Sequence, residues 1–343
     1  MTDFGAVVAG QTEAQVAAAI ATHAALPFIH PYARVPPQKY ERLATKSWDL
    51  PFGTSTPKGM CFDGRNIYVA KYGGLPNFYE IDIETGAVTD RSHPIETSDI
   101  LNLIFDGTYI WMTTGNPPVQ LKRFDPAAKT WALFTSAINI GTANCVISDG
   151  TNIWVGTLSD PGTYYKFNPA TEAWTSYALT EAGAKIKNMC FDGTHIWLGI
   201  EEPYLGIAKM NPADGSYVMI AFDAGDLGSE HVLFDGTWIW AICDTVPTRV
   251  KRIDPVSLAH TTVTLAAGNN NARSMVYDGK SVWIGQKPQA FCLVQLNPTD
   301  NSYRVWGLSA GEERAYCLGF DGMNVWAGLD GAQKKLIRFT KTR

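Results

Sequence analysis

The chain has 343 residues, of which 45% are hydrophobic and 18% are charged, and its formal net charge is −5. This composition is sufficient for a large core, and the small negative charge argues against binding to nucleic acid, which requires a basic surface. No stretch reaches the roughly 20 apolar residues of a membrane-spanning helix, so we predict no membrane insertion.

The first 40 residues lie outside the pattern that fills the rest of the chain. Residues 12–26 are rich in alanine and predict a helix with a narrow apolar stripe. Four prolines between positions 27 and 37 then predict an extended connection. Because an isolated helix of this length is marginally stable in water, we expect it to dock on the rest of the chain, on a copy of itself or on another protein. The candidate docking residues are Val16, Ile20, His23, Leu26, His30 and Tyr32.

Residues 23–32, with the sequence HAALPFIHPY, resemble a short element near the start of many bacteriophage tail-fibre and tail-spike proteins. In those proteins an alanine-rich helix ends in a histidine-rich turn. His23, His30, Pro31 and Tyr32 match it, whereas the spacing differs and the Asp-Pro-His core and the glutamine are absent. The resemblance implies a virion component whose first 40 residues bind other virion proteins or copies of the same chain. A plain alanine-rich lead-in helix is the alternative.

The rest of the chain carries a repeat of 43 residues, which is marked by an Asp-Gly pair after a short apolar run. An aromatic residue stands five positions after each Asp. The Asp residues are Asp63, Asp106, Asp149, Asp192, Asp235, Asp278 and Asp321. The aromatic residues are Tyr68, Trp111, Trp154, Trp197, Trp240, Trp283 and Trp326.

Each copy of the repeat predicts four β-strands. In the second copy these are the apolar run before Asp106, the run around Trp111, the run before Asp125, and residues 130–134. Asp-Gly and Asp-Pro pairs supply the turns between them. Four strands in about 40–45 residues is the size of one blade of a β-propeller.

The seventh copy ends at Arg343, after its third strand. Trp48 stands in the register of a fourth strand, six repeats before Trp306. We therefore predict that residues 43–50 complete the last blade and close the ring, which removes its open edges. The predicted fold is an all-β, seven-bladed β-propeller with four-stranded blades over residues 41–343, preceded by a short helical extension over residues 1–40.

The repeated Phe-Asp-Gly-Thr-Asn-Ile-Trp-Val type of blade resembles the seven-bladed propellers of the virginiamycin B lyase-like group over residues 41–343. The resemblance implies this fold and leaves the function open, because propellers include enzymes, binding proteins and scaffolds. A residue type that recurs in every blade does not mark a single active site. We predict that the tryptophans pack between blades and that the Asp-Gly pairs form turns.

The first strand of each blade is predicted to line the central channel, so the residues four and five positions before each Asp form two columns around it. The column four positions before the Asp is Gly59, Asn102, Cys145, Asn188, His231, Ser274 and Cys317. The column one residue earlier is Lys58, Leu101, Asn144, Lys187, Glu230, Arg273 and Tyr316. From these columns we select six candidate ligand-binding residues: Asn102, Asn188, Glu230, His231, Lys187 and Arg273.

These candidates are compatible with three alternatives for what the channel binds. Asn102, Asn188, Glu230 and His231 could hold the divalent metal of a lyase or lactonase, which needs several converging oxygen ligands. The cations of the same columns would repel a metal and could instead favour a small anion or a sugar. A channel whose polar side chains hold only water is the third alternative. The sequence contains no motif of a known catalytic class, so we predict no catalytic residue, no metal and no cofactor.

We therefore predict a non-enzymatic structural or binding protein, most specifically a component of a bacteriophage tail. The loops between second and third strands, such as residues 72–77 and 201–205, differ between blades and are suited to recognise a host surface protein or glycan. The expected location is the virion, assembled in the host cytoplasm, with a cytoplasmic protein as the alternative. A metal-dependent lyase or lactonase and a cellular scaffold are the alternative functions.

Overall fold

A computed structural model describes residues 43–53, 55–94, 99–115, 118–137, 141–201, 206–266, 271–287, 293–306, 314–330 and 334–341. These residues form seven four-stranded antiparallel sheets, which confirms the predicted seven-bladed β-propeller. No helix occurs in these ranges, and therefore none that could cross a membrane. The helix predicted for residues 12–26 and the six candidate docking residues between Val16 and Tyr32 lie outside them.

The first four blades follow one another along the chain, each with its strands hydrogen-bonded in sequence order. Blade one contains β2 (Pro57–Phe62), β3 (Asn66–Lys71), β4 (Phe78–Asp82) and β5 (Val88–Asp90). Blade two contains β6 (Ile100–Phe105), β7 (Ile110–Thr114), β8 (Gln120–Asp125) and β9 (Thr130–Thr135). Blade three contains β10 (Ala143–Ser148), β11 (Ile153–Thr157), β12 (Thr163–Asn168) and β13 (Ala173–Ala178). Blade four contains β14 (Ile186–Phe191), β15 (Ile196–Ile200), β16 (Gly206–Met210) and β17 (Tyr217–Ala221).

The last three blades repeat this order, except that the seventh takes its outermost strand from the start of the propeller. Blade five contains β18 (Ser229–Phe234), β19 (Ile239–Cys243), β20 (Arg249–Ile253) and β21 (His260–Thr264). Blade six contains β22 (Ala272–Tyr277), β23 (Val282–Gln286), β24 (Leu293–Leu296) and β25 (Tyr303–Trp306). Blade seven contains β26 (Ala315–Phe320), β27 (Asn324–Leu329), β28 (Lys335–Lys341) and β1 (Leu43–Asp49).

The ring closes as the position of Trp48 predicts. Strand β1 pairs antiparallel with β28, from Leu43 opposite Lys341 to Asp49 opposite Lys335. The Trp48 ring stacks on the Trp326 ring with 5.2 Å between ring centres. Each blade of a closed ring packs against two neighbouring blades. The pairing of β1 with β28 completes blade seven and therefore stabilises the whole propeller.

The Asp and Trp columns are structural, as their recurrence indicates. In blade three, Asp149 Oδ1 accepts the backbone N–H groups of Thr151 and Asn152 at 2.8 and 2.7 Å. Asp149 Oδ2 accepts the indole N–H of Trp154 at 2.7 Å. The same three bonds occur in the other blades, with the Tyr68 hydroxyl replacing the indole in blade one. The carboxylate thus fixes both the turn and the buried ring, which packs against the apolar residues of the next blade.

The propeller has two unlike faces. The turn face carries the Asp-Gly turns and the turns between third and fourth strands. The loop face carries the loops between second and third strands and the connections from one blade to the next. Strand β1 begins at Leu43, which pairs with Lys341 beside the Asp321 turn. The segment before residue 43 therefore joins the propeller at the turn face.

Candidate functional site

The first strands of all seven blades line a central cavity of about 400 Å³. Toward the turn face the cavity is lined by apolar residues, among them Met60, Leu103 and Met189. Its polar residues lie at the end near the loop face. The cavity contains all six candidate ligand-binding residues. The position of these residues in the repeat therefore predicted their location, while their ability to bind a ligand remains a prediction.

A β-bulge in every first strand leaves one residue of each blade without a partner in the ladder, and all seven of these residues line the cavity. In blade four the register shifts between Ile186 and Asn188, so Lys187 has no partner in the ladder, and the other six blades show the same shift. A bulge re-aims the extra side chain and is frequent beside functional sites. We call these seven residues the inner ring: Lys58, Leu101, Asn144, Lys187, Glu230, Arg273 and Tyr316.

A second set of residues surrounds the inner ring on the loop face. The residue that follows each second strand donates its backbone N–H to the carbonyl two residues before the inner-ring residue, as Tyr72 does to Thr56 at 3.0 Å and Lys287 to Asn271 at 3.2 Å. This bond fixes the backbone of each position beside the cavity mouth. We call these residues the outer ring: Tyr72, Gly115, Leu158, Glu201, Asp244, Lys287 and Asp330.

The charges of blades four to six form a paired network. Arg273 Nη1 lies 2.7 Å from Glu230 Oε2, and Lys187 Nζ lies 2.7 Å from Glu201 Oε1 and 4.0 Å from Glu230 Oε1. Burial of Arg273 opposes its charge, but the Glu230 carboxylate outweighs burial and raises the pKa of the guanidinium. Glu230 is therefore flanked by two cations and carries little unbalanced charge.

Blades seven, one and six present a different arrangement. Lys58 Nζ donates a hydrogen bond to the Tyr316 hydroxyl at 3.1 Å and lies 4.6 Å from the centre of that ring. It also lies 5.5 Å from the ring centre of Tyr72, and Lys287 Nζ lies 5.8 Å from that of Tyr316. Within the described ranges, neither lysine forms an ion pair.

The remaining candidates have separate roles. Asn188 Oδ1 accepts the backbone N–H of Val232 at 3.2 Å, which ties blade four to blade five. His231 is half-buried, and its Nδ1 is shielded from solvent with no hydrogen-bond partner among the residues that the structure describes. Burial lowers the pKa of His231 to about 4, so this imidazole is neutral at pH 7. Asn102 lines the cavity.

The structure thus joins three of the six candidates, Lys187, Glu230 and Arg273, in one network. Lys58 and Tyr316 stand in the predicted column but are not among the six candidates, because the sequence does not show that they contact each other. Lys287 and Tyr72 belong to the outer ring. The sequence feature that could have identified them is their common position, nine residues after the Asp of their repeat. In the described part of the chain, no three His, Cys, Asp or Glu side chains lie close enough to hold a metal ion.

No protein-family model matches the chain, and no curated protein matches it. Among solved structures, selenomethionine-substituted virginiamycin B lyase from Staphylococcus aureus is similar, with a TM-score of 0.74, 14% identity, and 87% of this chain and 99% of the lyase chain covered. A catalytically inactive variant of that lyase, with quinupristin, gives the same values.

A chain of the mitotic checkpoint complex is also similar, with a TM-score of 0.71, 11% identity, and 90% and 94% of the two chains covered. Identities this low show the seven-bladed fold alone. The similar proteins include both a lyase and a component of a checkpoint complex, so this fold supports enzymatic and non-enzymatic functions. None of these matches shows the resemblance of residues 23–32 to tail-fibre proteins.

Proposed function

We propose that the chain is a non-enzymatic binding protein that presents the loop face of its propeller to a partner. Residues 1–40 attach it to a larger assembly, most specifically the tail of a bacteriophage virion. The observation that supports this proposal best is the state of the one inner-ring acid. Glu230 is paired with Arg273 and lies near Lys187, so it is poorly placed to act as a base or as a metal ligand.

The two faces of the propeller suit two different contacts, attachment to the assembly at one face and partner binding at the other. The segment before residue 43 joins at the turn face, while the cavity mouth and both residue rings lie at the loop face. If residues 1–40 bind other virion proteins or copies of the chain, the loop face points away from the assembly. It is then the face that meets a host surface protein or glycan.

The loops of the loop face differ between blades, as recognition requires. Residues 72–77 carry the half-exposed ring of Tyr72, whereas Glu201, at the start of the equivalent loop of blade four, belongs to the charge network. Residues 202–205 of that loop lie outside the described ranges. A rigid ring with seven unlike loops is a suitable scaffold for one specific partner.

The mass of the chain in solution tests the assembly role. We expect the full chain to form a trimer or a larger assembly by light scattering, and residues 41–343 to be monomeric. The truncated chain should keep its cooperative unfolding transition, because β1 is retained. A monomer in both forms would contradict the proposed attachment through residues 1–40.

A metal-dependent lyase or lactonase is the second candidate. It is favoured by the neutral His231, whose shielded Nδ1 has no partner in the described part of the chain. Metal analysis after incubation with divalent ions and gel filtration separates the two functions. A stoichiometric ion that is lost in a His231→Ala variant would support the enzyme and contradict the binding protein, whereas no retained ion supports the binding protein.

A further inference from the structure

The cations of the cavity mouth fall into two groups with different partners. Lys187 and Arg273 lie against carboxylates. Lys58 and Lys287 instead face tyrosine rings, at distances within which a ring attracts a cation. A ring quadrupole offsets less charge than a carboxylate does, so among the described residues the positive charges of Lys58 and Lys287 are less fully balanced than those of Lys187 and Arg273.

The outer-ring acid of blade seven does not change this difference. Asp330 forms an ion pair with Lys334 and accepts a hydrogen bond from Thr56 Oγ1 at 3.0 Å. Its charge is therefore balanced by Lys334, and it forms no ion pair with Lys58. Among the described residues, Lys58 and Lys287 therefore have no carboxylate within ion-pair distance.

These groups have hydrogen-bond donors to offer. An ammonium has three N–H donors, and one from Lys58 is used by the Tyr316 hydroxyl. That hydroxyl oxygen acts as acceptor, which leaves its own hydrogen to donate elsewhere. An anion placed between Lys58, Lys287 and Tyr316 would accept charge-assisted hydrogen bonds, which are stronger than neutral ones.

An aromatic surface lies beside the same donors. Tyr72 is 50% exposed, and the bond from its backbone N–H to the Thr56 carbonyl holds it beside the mouth. The C–H groups of a sugar ring pack well against the electron-rich face of such an aromatic ring. An anion site next to an exposed tyrosine is therefore suited to a ligand that joins a negative group to a sugar ring.

We infer that the mouth of the cavity between blades six, seven and one is a subsite for the carboxylate of an acidic sugar. Lys58, Lys287 and Tyr316 hold the carboxylate, and Tyr72 packs against the sugar ring. The inference rests on the proposed function, because it names the chemistry that the loop face recognises. A surface glycan that carries uronic or sialic acids supplies this chemistry.

Calorimetric titration of the full chain tests the ligand class. The probes are glucuronic acid, N-acetylneuraminic acid, glucose and inorganic phosphate. We expect saturable binding of the two acidic sugars, at least about tenfold tighter than glucose, because the charge-assisted bonds are lost in the neutral sugar. Binding of the acids should weaken as salt is added, because salt screens exposed charges.

Single substitutions test the location. Lys58→Ala and Lys287→Ala should each weaken binding of the acidic sugars about tenfold. Tyr72→Ala should weaken the acidic sugars and leave phosphate unchanged. Lys46→Ala is the charge-matched control, because Lys46 is exposed on the outermost strand and does not line the cavity. An unchanged thermal unfolding curve shows that each variant is folded.

Each contrary result overturns a defined part of the inference. Phosphate that binds as tightly as the acidic sugars contradicts the sugar class. Loss of binding in Lys187→Ala, with Lys58→Ala unaffected, contradicts the location. No binding of any probe contradicts the subsite, and the mass measurement on the full chain and on residues 41–343 still decides the proposed assembly role independently.

Discussion

Two columns of residues stand at equal distances from the same aspartate, one five positions after it and one five positions before it. The later column is a tryptophan in six blades and a tyrosine in the first, and every member is buried. The earlier column is the inner ring, whose seven members include cations, an acid, an amide, a leucine and a tyrosine. Both columns occupy equivalent backbone positions in every blade.

The difference shows how a repeat separates stability from function. The aromatic column has one task, which is to fill the space between blades while its polar atom is held by the aspartate. The bulge frees the inner ring from pairing in the ladder, so its residues are able to differ. We therefore expect substitutions in the aromatic column to change stability and substitutions in the inner ring to change binding.

The largest effect is expected from removal of residues 43–50. This deletion leaves β28 as an open edge and removes the Trp48 ring from Trp326. Exposed strand edges pair with other chains, so we expect aggregation or loss of the cooperative transition, as measured by gel filtration and circular dichroism. Deletion of residues 1–40 is the control. A variant without residues 43–50 that unfolds cooperatively at the wild-type temperature would contradict the role of β1 in closure.

The next prediction compares the stability cost of substitutions in the aromatic column and in the inner ring. Trp154→Ala should lower the free energy of unfolding by about 3–5 kcal/mol, because it leaves a cavity between blades. Asp149→Asn should cost about 1.5–3 kcal/mol through its weakened hydrogen bonds. Leu101→Ala, in the inner ring, should cost less than about 1 kcal/mol. Urea unfolding measures all three, and a cost for Leu101→Ala equal to that of Trp154→Ala would remove the distinction.

The features that the sequence predicted correctly are those that repeat. The Asp-Gly spacing indicated seven blades, and the register of Trp48 indicated the closing strand, because hairpin turns and buried aromatic residues impose the same pattern in every copy. The same spacing placed Glu230 and Lys187 at the channel. The period places Arg273 one repeat after Glu230 and Tyr316 six repeats after Lys58, at equivalent positions of neighbouring blades. It does not show that the side chains of these pairs contact each other.

The bulge could not be predicted either. Its extra residue in the first strand changes neither the 43-residue period nor the apolar pattern, because all seven blades carry it. Without the bulge, alternation along the strand would assign neighbouring residues such as Lys187 and Asn188 to opposite sides. In the structure both line the cavity, and Asn188 also bonds the next blade.

A smaller effect concerns the pH dependence of stability. Burial lowers the pKa of His231 to about 4 from its usual value of 6.5, so the unfolded chain binds a proton at a higher pH than the folded chain does. The contribution of His231 to the free energy of unfolding is therefore fully present above about pH 6.5. It falls by up to about 3 kcal/mol as the pH falls toward about 4. His231→Gln removes this contribution.

Urea unfolding of both proteins at about pH 7.5 and about pH 4.5 isolates the histidine, because the carboxylates titrate equally in each. The wild type should lose more stability than His231→Gln between these values. Equal losses would mean that His231 is as accessible to protons in the folded chain as in the unfolded one.

The smallest expected effect compares the two sides of the cavity mouth directly. Glu230→Gln removes the ion pair between this residue and Arg273, while Lys187 remains paired with Glu201. Because both side chains of the lost pair are only partly buried, the cost in stability should be about 1 kcal/mol or less. The freed guanidinium should then bind an anion, so the variant should take up a second glucuronic acid in calorimetric titration. In the Lys58→Ala background, Glu230→Gln should restore part of the lost binding, whereas a titration unchanged by Glu230→Gln would show that pairing with carboxylates does not decide which side of the mouth accepts anions.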